Sequence, residues 1–187
     1  MHEDLKKAVE VLREGGLILY PTDTIWGIGC DATNKEAVKR VYDLKQRHDS
    51  KSMLVLLDNV AKLPGYIDEI PDVAYDMMEF TNKPLTIIFD GAKNLADNLL
   101  AEDGSIGIRI TSEAFSQQLC GRFKKPLVST SANVSGESSP QNFSEISDVI
   151  KQGVDFIVSF RQEEMKNPAP SSIIKLGKGG EVTIIRE

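Results

Sequence analysis

Histidine is nearly missing from this chain. There are two in 187 residues, His2 and His48. His2 sits in the first turn of the N-terminus, so no Ser/His/Asp or Cys/His set can be assembled around a core histidine. The two cysteines, Cys30 and Cys120, stand far apart with no metal-ligand spacing near either. That points away from a disulfide framework and from a zinc site, and both read as small buried hydrophobes. Aromatic residues make up 6% of the chain, with Trp26 the one tryptophan, too few for the stacking platforms of single-strand RNA binding. Positive charge is in deficit: 22 Lys and Arg against 28 Asp and Glu give a net charge of −6. A surface that coats nucleic acid is therefore not expected, although a local basic patch remains open. No apolar run approaches the roughly 20 residues of a membrane span. The opening "MHEDLKKAVEVLREGG" has the charge and spacing of an amphipathic helix rather than a signal peptide. A cytoplasmic protein without a membrane segment is expected.

What is present is a core-forming chain, 41% hydrophobic, of a length suited to one domain over 1–187. Leu5, Ala8, Val9 and Leu12 fall at helical spacing, and Gly15 and Gly16 end that helix. "LILYP" reads as a strand. Thr33 and Glu36 form a capping-box pattern, predicting a helix from about Asn34 to Gln46. "SMLVLLD" is continuously apolar, like a strand buried on both faces. A helix near 73–80 precedes the strand "LTIIFD". "SIGIRI" is a strand, "SEAFSQQLCGRF" a helix and "PLVST" a strand. A helix over 144–152 follows, then the strands "DFIVSF", "SSIIKL" and "EVTIIR". Residues 161–170 read as a mobile loop, and "GKGG" at 177–180 as a hairpin turn. Strands and helices interleave early and strands dominate late, so the fold class is α/β with a mixed sheet.

Several places could hold chemistry. "YPTDTIWGIGCDA", 20–32, formally contains G-x-G-x-x-A, and Asp58 ends the next strand. Six residues separate the first strand from those glycines, which suits a binding loop at a strand end better than a dinucleotide turn. On the predicted helix, Val38, Val41 and Leu44 make an apolar stripe, and Lys45 falls inside it. A lysine there either snorkels past the helix end or faces an anion. From Lys35 to Lys51 six basic residues (Lys35, Lys39, Arg40, Lys45, Arg47, Lys51) meet three acidic ones (Glu36, Asp43, Asp49). Phosphate groups would suit that segment. "STSANVSGESSP", 129–140, puts Ser129, Thr130, Ser131 and Asn133 directly after a strand, offering donors and acceptors without bulk. Arg109 ends an apolar strand and calls for an anionic partner. Ser171 starts a strand after a loop, and Arg186 follows "VTII". With no histidine-activated nucleophile, an enzyme here would work by holding anionic substrates and stabilising charge.

"PTDTIWGIGCDA", "KQR" and "STSANVSG", in that order and spacing, together resemble the YrdC/Sua5 family of threonylcarbamoyl-adenylate synthases. "PLTIIF", "GIRI" and "PSSIIKL" extend the resemblance from about Gly15 to Arg186. It implies a twisted, open mixed sheet flanked by helices, with a positively charged cavity. It also implies a reaction: L-threonine, bicarbonate or CO₂, and ATP give threonylcarbamoyl-AMP and pyrophosphate, with Mg²⁺ bound mainly through the phosphates. A separate transfer complex then uses the product to modify adenosine 37 of tRNA. On this resemblance Lys45, Arg47, Ser131 and Asn133 are the catalytic and ATP-binding set, with Ser105 and Arg186 also at the nucleotide. Thr22, Arg109, Ser129 and Ser171 are the threonine contacts. The chain departs from the family pattern at Trp26 (tyrosine is usual), "HDSKSM", "NKPLT", Thr111 and Ser172. Three other readings stay open: a double-stranded RNA or tRNA-binding module without catalysis, a carbamoyl-adenylate module using carbamoyl phosphate, and a riboflavin-pathway synthase of the same fold.

Overall fold

The computed structural model describes residues 1–46, 53–165 and 169–187. Helix α1 (His2–Arg13) buries Leu5, Ala8, Val9 and Leu12, the face its spacing predicts. Strands β1 (Ile18–Tyr20) and β2 (Gly27–Gly29) pair antiparallel. Helix α2 (Lys35–Leu44) follows, then β3 (Leu54–Leu57), α3 (Asp72–Glu79), β4 (Leu85–Phe89) and β5 (Ile106–Ile110). Helix α4 (Ala114–Phe123) and β6 (Leu127–Ser131) come next. The chain ends with α5 (Asp148–Gly153), β7 (Phe156–Ile157), β8 (Ser172–Leu176) and β9 (Val182–Arg186). The strands form one sheet in the order β7-β1-β2-β6-β3-β5-β4-β8-β9, with parallel and antiparallel neighbours mixed. This is the α/β mixed sheet expected: twisted, open and flanked by helices.

Strand periodicity divides the two faces. In β4, Ile87 and Phe89 point to the helix-covered side. In β5 Ile106 and Ile108 do so, and in β8 Ile174 and Leu176; all six are buried. Their neighbours Thr86, Ile88, Gly107, Arg109 and Ile173 take the opposite face, and the register Thr86↔Arg109 and Thr86↔Ile173 brings the polar ones level. Burying each such isoleucine side chain stabilises by about 1.5–3 kcal/mol. The polar face therefore rests on an apolar one that holds its register.

Three expectations need correction. Asn34, not Thr33, caps α2, accepting from the Ala37 N–H at 3.1 Å, because Asp31 takes the Thr33 hydroxyl at 2.7 Å. Gly27 and Gly29 lie within β2 rather than in a turn opening a helix, in keeping with the preference for a binding loop over a dinucleotide turn. The helix over 144–152 is two pieces, a 3₁₀ turn at Phe143–Glu145 and then α5, since Ile146 is extended between them. Regular pairing in "DFIVSF" is confined to Phe156–Ile157, and the rest turns away under the grip of Asp4. The "GKGG" segment is the β8–β9 hairpin turn, with Gly180 at φ 89° and its N–H donating to Gly177 O.

Candidate functional site

The polar face opens into a cavity of about 460 Å³. Its floor comes from alternate residues of β4 and β5, from Ser129, Thr130 and Ser131 of β6 and from Ile173 of β8. Two glycines keep that floor low. A Cβ at Gly107 would meet Thr86 Cγ2 at 3.2 Å, and one at Gly27 would meet Ser129 Oγ at 3.3 Å. The wall at 22–26 carries Thr22, Thr24 and Trp26, and Trp26 packs on Phe143 with ring centroids 4.9 Å apart. Among the described residues lining the cavity, the charged side chains are two arginines, Arg109 and Arg186.

Arg109 is 3% exposed and pairs with Asp23, 8% exposed, at 3.1 Å. Burial pushes the Asp23 carboxyl above its ordinary range, against the attraction of Arg109, and burial likewise lowers the Arg109 guanidinium. Both shifts have the same sign of cost: desolvation outweighs mutual attraction. Asp23 Oδ1 and Arg109 Nε each lack a hydrogen-bond partner. Arg109 thus lines the cavity as a buried cation whose pairing with Asp23 leaves its donors incompletely used, a setting that suits a carboxylate or phosphate.

Ser171 is buried, its hydroxyl 3.1 Å from that of Thr86. Arg186 donates from Nε and Nη2 to Ser171 O at 2.9 and 2.8 Å, so the late arginine is folded back onto the serine. The Thr22 hydroxyl donates to Ile25 O at 2.7 Å and accepts from Thr24 N at 3.1 Å. It therefore shapes its own loop, and Thr24 adds a second hydroxyl to the wall. Ser129 and Ser131, two apart on β6, both line the cavity. Beneath lies Tyr20, wholly buried, where burial raises its hydroxyl's pKa so that it stays neutral.

Lys45 is 3% exposed. Its ammonium donates to Ser131 O and Asn133 O, both at 2.6 Å, with Asn133 Oδ1 at 3.4 Å. In return Ser135 N donates to Lys45 O at 2.8 Å. The Asn133 amide donates to Val134 O and Glu137 O, fixing its flip. The end of α2 and the segment after β6 are therefore stitched together behind Ser131, and three of the four expected nucleotide residues meet. Arg47, the fourth, and Lys51 lie outside the described residues, as do "HDSKS" and part of the 161–170 loop. Ser105 is not brought in. It precedes β5, four residues and roughly 13 Å along the strand from Arg109, in a turn whose N–H donates to Asp103. Asp23, Thr24, Thr86, Gln141 and Arg161 belong to the site or its support and had no part in the expected set; Asp23 and Thr24 carried a signal as members of "PTDT", and Thr86 as a member of "PLTIIF", while Gln141 and Arg161 carried none. Among the described residues, no group of three or more His, Cys, Asp or Glu could hold a metal ion.

Comparison with known proteins joins this geometry to a family. The Sua5–yciO–yrdC family model, described as "Telomere recombination", matches residues 10–187. The chain belongs to the Sua5–YciO–YrdC family. A family member named threonylcarbamoyl-AMP synthase, from Pseudoalteromonas translucida, is 33% identical over 178 residues, 94% of each chain. The structure of E. coli YciO is 27% identical with a TM-score of 0.85, over all of this chain and 90% of that one. P. abyssi Sua5, solved in complex with L-threonine, has a TM-score of 0.88 at 22% identity. The match covers 97% of this chain and 53% of Sua5, so this chain spans about half of it. At that identity the likeness speaks for the fold.

Proposed function

We propose that this chain is an L-threonylcarbamoyladenylate synthase, the activity for which its curated relatives are named. The observation that carries the reading is the cavity: two arginines and a rank of hydroxyls, with no carboxylate among its described lining residues. Such a lining suits a site for joined anions, a carboxylate and a triphosphate. An RNA-binding module has no use for a concave pocket of this size and lining.

Threonine enters with its carboxylate toward Arg109, beside the hydroxyls of Thr22, Ser129 and Ser171. Its amine adds to CO₂, giving a carbamate. ATP lies toward Lys45, Arg47, Ser131 and Asn133, with Arg186 swinging from Ser171 to the nucleotide. A carbamate oxygen attacks the α-phosphorus and pyrophosphate leaves. The protein supplies proximity and positive charge, and no covalent protein intermediate is needed. Lys45 acts largely by fixing the Ser131–Asn133 backbone that faces the phosphates. Because the described lining residues carry no carboxylate, Mg²⁺ is expected to arrive on the triphosphate rather than in a protein site. The whole chain works as one domain, in the cytoplasm, and hands its product to a separate transfer complex acting on tRNA.

The test is pyrophosphate release from ATP with bicarbonate and Mg²⁺, with L-threonine present, omitted or replaced by serine. Threonine-dependent release with an AMP adduct of the expected mass supports the reading. Release that ignores threonine, or none from folded protein, rejects it.

A further inference from the structure

The geometry points to Arg161 as a positioning residue: from outside the cavity it fixes the backbone of the 21–26 loop that carries the threonine-side wall. The inference rests on the reading above for what the wall binds, but not for what Arg161 holds.

Arg161 adopts φ 71°, a left-handed conformation that favours glycine and strains most other residues. A glycine would sit there with less strain, so the arginine side chain must repay its backbone. Its guanidinium, 19% exposed, joins three separate pieces of chain. Nη1 donates to Thr22 O at 3.2 Å, reaching across 139 residues of sequence. The same nitrogen pairs with Glu113 Oε1 at 3.1 Å, and Nε donates to Glu164 Oε2 at 2.9 Å. Glu113 is itself fixed, because it caps α4 by accepting from Ser116 N at 2.8 Å.

The base of Arg161 is equally fixed. Asp4 of α1 accepts from the backbone N–H groups of Ser159 and Phe160, both at 3.2 Å, and from the Ser159 hydroxyl. The Phe160 ring stacks on Phe115 of α4 at 6.0 Å. Arg161 therefore rises from a clamped strand end onto a loop with no regular pairing of its own. The contact it makes there is the Thr22 carbonyl. That carbonyl and the Asp23 N–H share one planar peptide, so holding one orients the other. Asp23 in turn faces Arg109. The loop is thus gripped by two arginines, Arg109 on its cavity side and Arg161 outside. Glu113 also bears on Asp23 by charge, raising its pKa, and Arg161 pairs with Glu113.

The variant Arg161→Gly removes the side chain and relieves the left-handed backbone in one change. Hydrogen exchange of amides 22–26 in the ligand-free protein should then speed up on the order of tenfold, while the melting temperature does not fall. Unchanged exchange would overturn the proposal, and this arm stands even if the synthase reading fails. In the synthase assay, KM for threonine should rise about tenfold with KM for ATP moving less than about twofold. An equal rise in both, with a lower melting temperature, would reveal general loosening and overturn it. Arg161→Lys keeps the charge without the planar fork, so it should restore threonine KM only in part. Full restoration would show that charge alone suffices and would also overturn the positioning role.

Discussion

Lys45 shows how much one buried side chain can organise. Its ammonium is surrounded by carbonyl oxygens from a segment some 86 residues away. Lys45→Ala should lower kcat/KM by about 10²–10³-fold, or roughly 2.7–4 kcal/mol of transition-state stabilisation. Pyrophosphate release measures this, with circular dichroism to show that the protein is folded; near-normal turnover would remove Lys45 from the machinery. Asp23 makes a prediction of the opposite flavour, because its ion pair is a net burden. The folded-state pKa lies above the ordinary 3.8, so the folded protein holds that proton more tightly than the unfolded chain. The Asp23 contribution to stability is then fullest below 3.8 and is lost as pH rises through the folded value. Urea unfolding of wild type and Asp23→Asn from about pH 3.5 to 8 should show the wild type's relative stability shrinking as pH rises. A relative stability that grows instead would mean that Arg109 outweighs burial. Lys45 was readable in the sequence because it interrupts an apolar stripe, and Arg109 because it ends one. Arg161 was not: an arginine in a polar stretch looks solvated until the fold carries it to Thr22.

Among elements, α4 ends with a device that can be improved. Lys124 takes φ 63° as its C-terminal cap, with its N–H donating to Cys120 O at 3.0 Å. The side chain is exposed, so Lys124→Gly should stabilise by about 0.5–1 kcal/mol, raising the melting temperature by roughly 2–4 °C. A loss of stability would show that the lysine stem packs where the backbone argument ignores it. The helices with clear stripes, α1 and α2, were legible to within a few residues. Caps were less so, since Thr33 and Asn34 both suit the role and the choice fell to Asp31. Strand β2 escaped notice for a plain reason. Two glycines in three residues carry no alternation, and only pairing with β1 and β6 makes them a strand.

For the whole molecule, the mixed sheet was foreseeable from the sequence of elements, but its order was not. The neighbours β6 and β3 lie some seventy residues apart in the chain, and nothing local announces their pairing. The cavity depends on that order, because it brings Ser129 of β6, Arg109 of β5, Thr86 of β4 and Ser171, the residue before β8, to one face of the sheet. A ligand that bridges these strands stabilises the folded state alone. Threonine at about 100 times its dissociation constant should add roughly 2.7 kcal/mol, visible as a rise in melting temperature, and Arg109→Ala should abolish it. An equal rise in the variant would place threonine elsewhere. Finally, the one tryptophan of the chain stands in the wall of this cavity, against Phe143. The protein therefore carries a built-in optical label at a single address. Its indole emission has one source, so a titration excited at the red edge, where the four tyrosines barely absorb, reports events at that wall without dye or tag.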